Sequence, residues 1–569
     1  MTGPVRRNKR DSRTQSVSYL TAGEADHHAV EAGDIKNYSL NNFSTAPLSI
    51  PRTNGNRQAH HLGEMVVVRE DGLRYVYGIA AYNNLQEEVS FNASGRSVNA
   101  SNGLVTYQAG DNSLENGNGL DHYYSKTKIP AYAHSFLLTA VLSQDYVDRT
   151  GDGPTDDDSG AWTKFNYHRA HENYKTRIPV EADQANNNPG QRTKDDDDHG
   201  EKEIWYLHSI VSKTHIAEFW YNTVREDSWG VLDANGGVNN TTSQKLYALN
   251  KIELHAKPSH QAGTDDPIKT AHFHYDYSLS SNLPNAAQGK MTLKSLWFTY
   301  GSSYKGKLSP YTFAYKQLQS PTGIFIKTPY NIKAYNRWGY YKPNNTASNI
   351  PPSNVDYPYA SQPGIYGVTI QELEDRAGLW NLEKITLPSG GEINIEYESH
   401  TYAYTQDQRA MQMISVTDTI QLNQGVQNLH LNKRIHFQLI EEFNGGLSNV
   451  QVRAKLREQY LGDLATGRDK FLYFKCLADL SGKGDFDYVP GYAKIKDYGA
   501  VVVQQNNPNG NFNFGWIELE EVCLKDKELS GCNKTIHPIA KAAIQMTRLT
   551  HPELAYGIAN VNANSSAML

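Results

Sequence analysis

The sequence predicts a mainly β chain, an extended antiparallel sheet of hairpins with long loops and a few short helices. Three observations carry that expectation. The stretch Leu382 to His400, LEKITLPSGGEINIEYESH, alternates, turns on Pro-Ser-Gly-Gly and alternates again. Blurred copies of it recur along the chain. Tyrosine is abundant, 37 against 16 phenylalanines, and 44 glycines supply turns. Tyrosine suits strands because its ring packs while its hydroxyl stays hydrated.

In the hairpin, Ile385 and Leu387 point one way and Lys384 and Thr386 the other. After the turn Ile393, Ile395 and Tyr397 share a face, opposed by Glu392, Asn394, Glu396 and Glu398. Period-two alternation is the mark of half-buried strands. Pro388 presets a turn φ, and Gly390 and Gly391 permit positive φ.

From the N-terminus, residues 1–60 are polar and read as an extended arm, a linker or a donated strand. Their opening, MTGPVRRNKRDSRTQ, has basic residues with no apolar core behind them, so it is no secretory signal. An internal piece of a longer secreted chain is the expectation. Residues 61–205 read as a β region with acidic loops. There EMVVVREDGLRYVYGIAAY gives two strands joined at Glu70-Asp71-Gly72, a hairpin signal. The segment 129–148 is apolar and suits a buried strand pair or a short helix, and 92–122 is a soft loop.

Residues 206–410 hold the repeated hairpins: LHSIVSKTHIAEFWYN (207–222), LNKIELHAK (249–257), KTAHFHYDYS (269–278), LKSLWFTYG (293–301) and SPYTFAYKQ (309–317). Their spacing is irregular, so they form no regular solenoid. Residues 411–569 are a mixed β region with short helices. VQVRAKLREQYLG and HPIAKAAIQMTRLTHPE have helical spacing, the second with Pro538 near its start and Pro552 as its stop. FLYFKCLADL and NFGWIELEEV read as strands.

The unit Leu382 to Tyr397, together with DRTGDGPTDDD, TAHFHYDYSL, YNRWGYYKPN (335–344) and VPGYAKIKDYG (489–499), resembles RHS and YD-repeat proteins and their SpvB-like and toxin-complex-like relatives. It looks like a segment of a giant secreted surface protein of gliding bacteria. The resemblance spans roughly residues 64–550 and implies a secreted or surface-displayed, β-rich chain. The regular YD repeats and self-cleaving core of a sealed toxin shell are not seen.

Asp148-Arg-Thr-Gly-Asp152-Gly-Pro-Thr-Asp156 is the best chemical motif. Asp148, Thr150, Asp152 and Asp156, with the Pro154 carbonyl, place oxygens as a calcium loop does. Ser159 stands where a standard loop has its closing glutamate. The competing reading is a solvated loop rich in Asx turns. Asp195 to Asp198 read as a solvated, mobile loop. His272, His274 and Asp276 alternate on one strand face, a pattern that fits ordinary strand residues better than zinc ligands. Aromatic runs 218–222, 296–300 and 337–341 fit cross-strand packing better than sugar stacking.

Net charge is −6, so no basic nucleic-acid surface is implied. No hydrophobic run reaches the length of a membrane span. Of three cysteines, Cys523 and Cys532 can pair and leave Cys476 free, or all three can be thiols. No GxSxG, HExxH, GxxxxGK[ST] or helix-opening GxGxxG occurs. The leading expectation is therefore not an enzyme. It is a structural segment of a large extracellular or cell-surface assembly, an appendage or an adhesion device. It associates with copies of itself, other parts of the same long chain or surfaces of other cells. The alternatives are an RHS-like cocoon component of a secreted toxin-delivery system and a carbohydrate-active enzyme.

Overall fold

The computed structural model describes residues 15–27, 33–92, 104–106, 110–118, 122–180, 184–187, 194–241, 244–286, 288–319, 322–332, 334–336, 338–343, 369–398, 404–405, 408–409, 416–417, 434–462, 471–479, 486–503, 510–523 and 535–550. Among these the chain is mainly β, as the alternation predicts. Its largest element is a sheet of 20 strands.

The sheet begins with β1 (Gln15–Thr21), followed by α1 (Ala22–His27). Then come β2 (Leu62–Arg69), β3 (Arg74–Tyr77) and β4 (Ile79–Asn92). β2 and β3 pair antiparallel across the Glu70-Asp71-Gly72 turn. There Gly72 has φ +80°, and the Asp71 carboxylate accepts from the Leu73 amide. After β5 (Tyr124–Ile129) the apolar segment is a pair of strands, β6 (Tyr132–Leu137) and β7 (Ala140–Leu142). Val66, Val76, Ala140, Leu142, Tyr146 and Trp162 form the core between these strands.

Two long strands follow, β8 (Trp162–Ile178) and β9 (Lys194–Ser212). They pair along their length, and bulges near Arg169 and His171 bend β8. The run Asp195 to Asp198, expected in a solvated loop, is the start of β9, where each backbone pairs with β4. The long partner strand overrides the local polarity, since strand formation depends on neighbours more than on intrinsic preference.

From β9 the chain runs as a meander through β10 (His215–Trp220), β11 (Lys251–Ala256), helix α2 (Lys257–Gln261), β12 (Lys269–Asp276), β13 (Thr292–Thr299) and β14 (Tyr311–Tyr315). Helix α3 (Ile370–Gly378) then precedes β15 (Leu382–Thr386) and β16 (Glu392–Asn394). Each strand from β9 to β16 pairs antiparallel with the next. The repeated Leu/Ile-turn-Tyr passages are thus successive rungs of one wall. Residues 223–248 interrupt it with a separate three-stranded sheet.

Part of the polar N-terminal stretch lies against this sheet. Arg57 reaches the Glu203 carboxylate at 2.6 Å, and both side chains are almost wholly buried. The same carboxylate accepts from the Tyr82 amide, Trp205 Nε1 and Arg169. Buried Arg52 donates to the carbonyls of Gly33, Gly63 and Gly78. Asn41 bonds the Tyr221 backbone in both directions, and Phe43 packs on His208 and Trp220.

The C-terminal unit, considered by itself, joins β17 (Arg434–Phe443), α4 (Asn449–Leu456), β18 (Phe471–Asp479), β19 (Phe486–Val501), β20 (Phe512–Leu519) and α5 (Pro538–Thr550). Both helices and both strands read from its sequence are present. Ser448 and Gln451 cap α4 reciprocally. Phe437, Phe443, Leu456, Ile517 and Ile539 anchor one core. Three aromatic rings lie over facing glycines in this sheet: Phe437 over Gly515, Phe474 over Gly491 and Trp516 over Gly499. Cys523 is disulfide-bonded, so the three-thiol reading does not hold. Among the described residues no helix is long and apolar enough to cross a membrane.

Candidate metal centre

The densest group of potential ligands lies where β10, β11 and α2 meet. Register sets Glu218 of β10 directly opposite Glu253 of β11. Because side chains alternate along a strand, His255 falls on the same face as Glu253. Like charges placed opposite each other across a sheet destabilise it unless something lies between them.

The chain after β11 folds back over this face. Pro258 stands in the first turn of α2, where its lost N–H is harmless. Gly263, at φ +66°, ends the helix with its amide on the His260 carbonyl. This turn brings His260 and Asp265 over the strands. Lys257, buried at the helix start, donates to the Asp156 carboxylate and lies 5.1 Å from the Trp162 ring centre.

The contacts form one network. His255 Nδ1 lies 3.0 Å from Asp265 Oδ2. His260 Nε2 lies 2.9 Å from Glu218 Oε1, and its Nδ1 lies 3.3 Å from Asp265 Oδ1. The two imidazoles are 4.1 Å apart, centre to centre. Lys251 Nζ donates to Glu253 Oε1 at 2.7 Å. His255 is 5% exposed and Glu218 3%, and His255 Nε2 has no hydrogen-bond partner. Burial raises the Glu218 pKa above the ordinary carboxylate value, against the pull of His260. At Asp265 burial pushes the same way, but hydrogen bonds from His255 and His260 outweigh it and lower the value.

Two sets of three groups come within 4.8 Å of one another: Glu218, Glu253 and His255, and His255, His260 and Asp265. Such imidazole and carboxylate sets hold zinc and similar cations. None of these residues is a candidate in the sequence reading. The signal is the alternation Glu253-x-His255, followed by His260 and Asp265 at even spacing.

The residues expected to bind calcium each have partners within the protein. The Asp148 carboxylate accepts from its own loop, from the amides of Thr150, Gly151 and Gly153. The Thr150 hydroxyl donates to Asp152 at 2.6 Å. Asp156 is turned to Lys257, and the Pro154 carbonyl accepts from Lys164. Both oxygens are thus already engaged by ammonium groups. The buried anchor of the loop is Asp158, which accepts from Tyr146 OH and the amides of Arg149 and Thr155. His272 bonds Thr299 and stacks on Trp297, as an ordinary strand residue does.

Comparison with known proteins finds no matching family model, no matching curated protein and no matching solved structure.

Proposed function

We propose that this chain is a structural segment of a large extracellular or cell-surface assembly, in which its sheet is continued by a further strand from a second copy or from another part of the same long chain. The observation that carries the reading is the open end of the meander. Among the described residues β16 pairs on one side only, with β15. The amide of Ile395 bonds Glu383 and the carbonyl of Gly391 accepts from Leu387. Strand alternation then turns the backbone groups of Glu392 and Asn394 outward. Ile393 at 48% and Tyr397 at 38% are exposed beside them. An unpaired edge carrying apolar side chains is a template for another strand.

Two further features support this reading. Many ladder bonds loaded together suit mechanical work, and the disulfide at Cys523 suits an oxidising compartment. The resemblance to RHS-like surface proteins points the same way.

The test is sedimentation and electron microscopy of the purified chain over a range of concentrations. Association into rings, filaments or larger particles is expected. Asn394→Pro removes an outward amide while keeping the hairpin bonds, so it should yield monomers. A wild-type chain that stays monomeric at tens of micromolar, alone and with flanking segments of its parent chain, contradicts the proposal.

A further inference from the structure

We infer that Glu218, Glu253 and His255 form a binding site for a divalent transition cation, with zinc the foremost occupant. Three independent observations meet there. The first is the glutamate pair facing across β10 and β11, a repulsive arrangement that a cation between the carboxylates would reverse. The second is His255 Nε2, deeply buried and without a partner. The third is what holds each candidate ligand from behind.

His255 has its Nδ1 on the Asp265 carboxylate. This carboxylate–histidine pairing fixes the imidazole with Nδ1 as donor and leaves Nε2 with an open lone pair. Glu218 is held by His260 and Glu253 by Lys251, each through Oε1. One oxygen of each glutamate is thereby fixed, and the other is not engaged in that contact. A ring nitrogen of His255 and one oxygen from each glutamate lie within 4.8 Å of one another. Tetrahedral zinc, with bonds of about 2.0–2.1 Å, spaces its ligand atoms roughly 3.3–3.4 Å apart. A small inward movement of side chains suffices.

Charge favours the same occupant. Two carboxylates and a dication sum to zero, which suits a buried site. An imidazole among the ligands favours zinc over calcium or magnesium, which prefer oxygen alone. Three protein ligands leave a fourth position for water. The site lies between adjacent rungs of the meander, so the ion would tie β10 to β11 by their side chains.

The test is equilibrium dialysis of the whole chain against zinc chloride, with bound metal counted by mass spectrometry. One zinc per chain is expected to be lost in His255→Ala. Asp265→Asn, which changes the group behind His255 and His260 and none of the three ligands, should weaken binding about 10- to 100-fold. Cobalt should give visible absorption in the wild type and not in His255→Ala. Glu253→Gln removes the like-charge contact, so it should fold without metal and still fail to retain zinc. His215→Ala, an exposed histidine at the start of the facing strand β10, should leave the count unchanged. Equal zinc retention by wild type and Glu253→Gln, or no retained zinc in the wild type, overturns the assignment.

Discussion

Acidification from pH 7 to pH 5 should loosen the N-terminal segment from the large sheet, and His208 is the reason. Its ring is 3% exposed, stacked on Tyr38 and packed against Phe43. Nε2 faces the Asn42 carbonyl at 3.3 Å, and Nδ1 faces the Ser209 hydroxyl at 3.1 Å. That network assigns a neutral ring with its proton on Nε2 and with Nδ1 as acceptor. Burial, with His168 nearby, lowers the pKa from 6.5 to about 4 against the pull of backbone carbonyls. The folded value lies below the unfolded one. The unfolded chain therefore binds more protons in this window, and stability falls as pH drops from 6.5 towards 4. With those two values, the loss is about 2 kcal/mol at pH 5 and about 3 kcal/mol at pH 4. This is a large part of the stability of a typical domain, about 5–15 kcal/mol. The assay is amide hydrogen exchange in residues 36–45 and 207–211, measured at pH 7 and pH 5 after correction for intrinsic rates. Opening should become easier in the wild type and much less pH-dependent in His208→Gln. Equal pH dependence in the two proteins would refute the reasoning.

Two further outcomes follow from a buried ion pair and from packing. Glu203→Gln leaves Arg57 buried without a counter-charge and should cost about 3–5 kcal/mol in denaturant unfolding. The double change Arg57→Met with Glu203→Met should cost less than the two single changes summed, and strict additivity would show that the pair is not coupled. Gly515→Ala would press its Cβ into the Phe437 ring. Displacing that ring should cost about 1–3 kcal/mol, read as a lower unfolding temperature, whereas an unchanged value would mean the ring is free to move.

Much of the fold was legible because strand patterns are local. The Glu70-Asp71-Gly72 turn, the Pro-Ser-Gly-Gly hairpin and the helical spacing of VQVRAKLREQYLG each declare themselves within a few residues. The repeated Leu/Ile-turn-Tyr passages even implied adjacency, since similar half-buried strands suit one shared face. Long-range pairing was not legible. Asp195 to Asp198 look like a loop until β4 is set beside them. The candidate metal centre was hidden for the same reason. Glu253-x-His255 and His272-x-His274 have the same alternation, yet only the first is closed over by a helix and faced by a glutamate from another strand. The aspartates of the calcium-like motif were visible, but nothing local revealed that Lys257 would take Asp156 and Lys164 the Pro154 carbonyl.

The strand order of the meander also bears on how the wall is made. From β9 to β16 every strand of the wall docks on the wall strand that precedes it in the chain. The excursion at residues 223–248 closes on itself, so it does not break this sequence. Short sequence separation between partners lowers the entropic barrier to pairing. A chain emerging from its N-terminal side can therefore grow the wall one rib at a time, each newly added rib serving as the docking surface for its successor until β16 is reached.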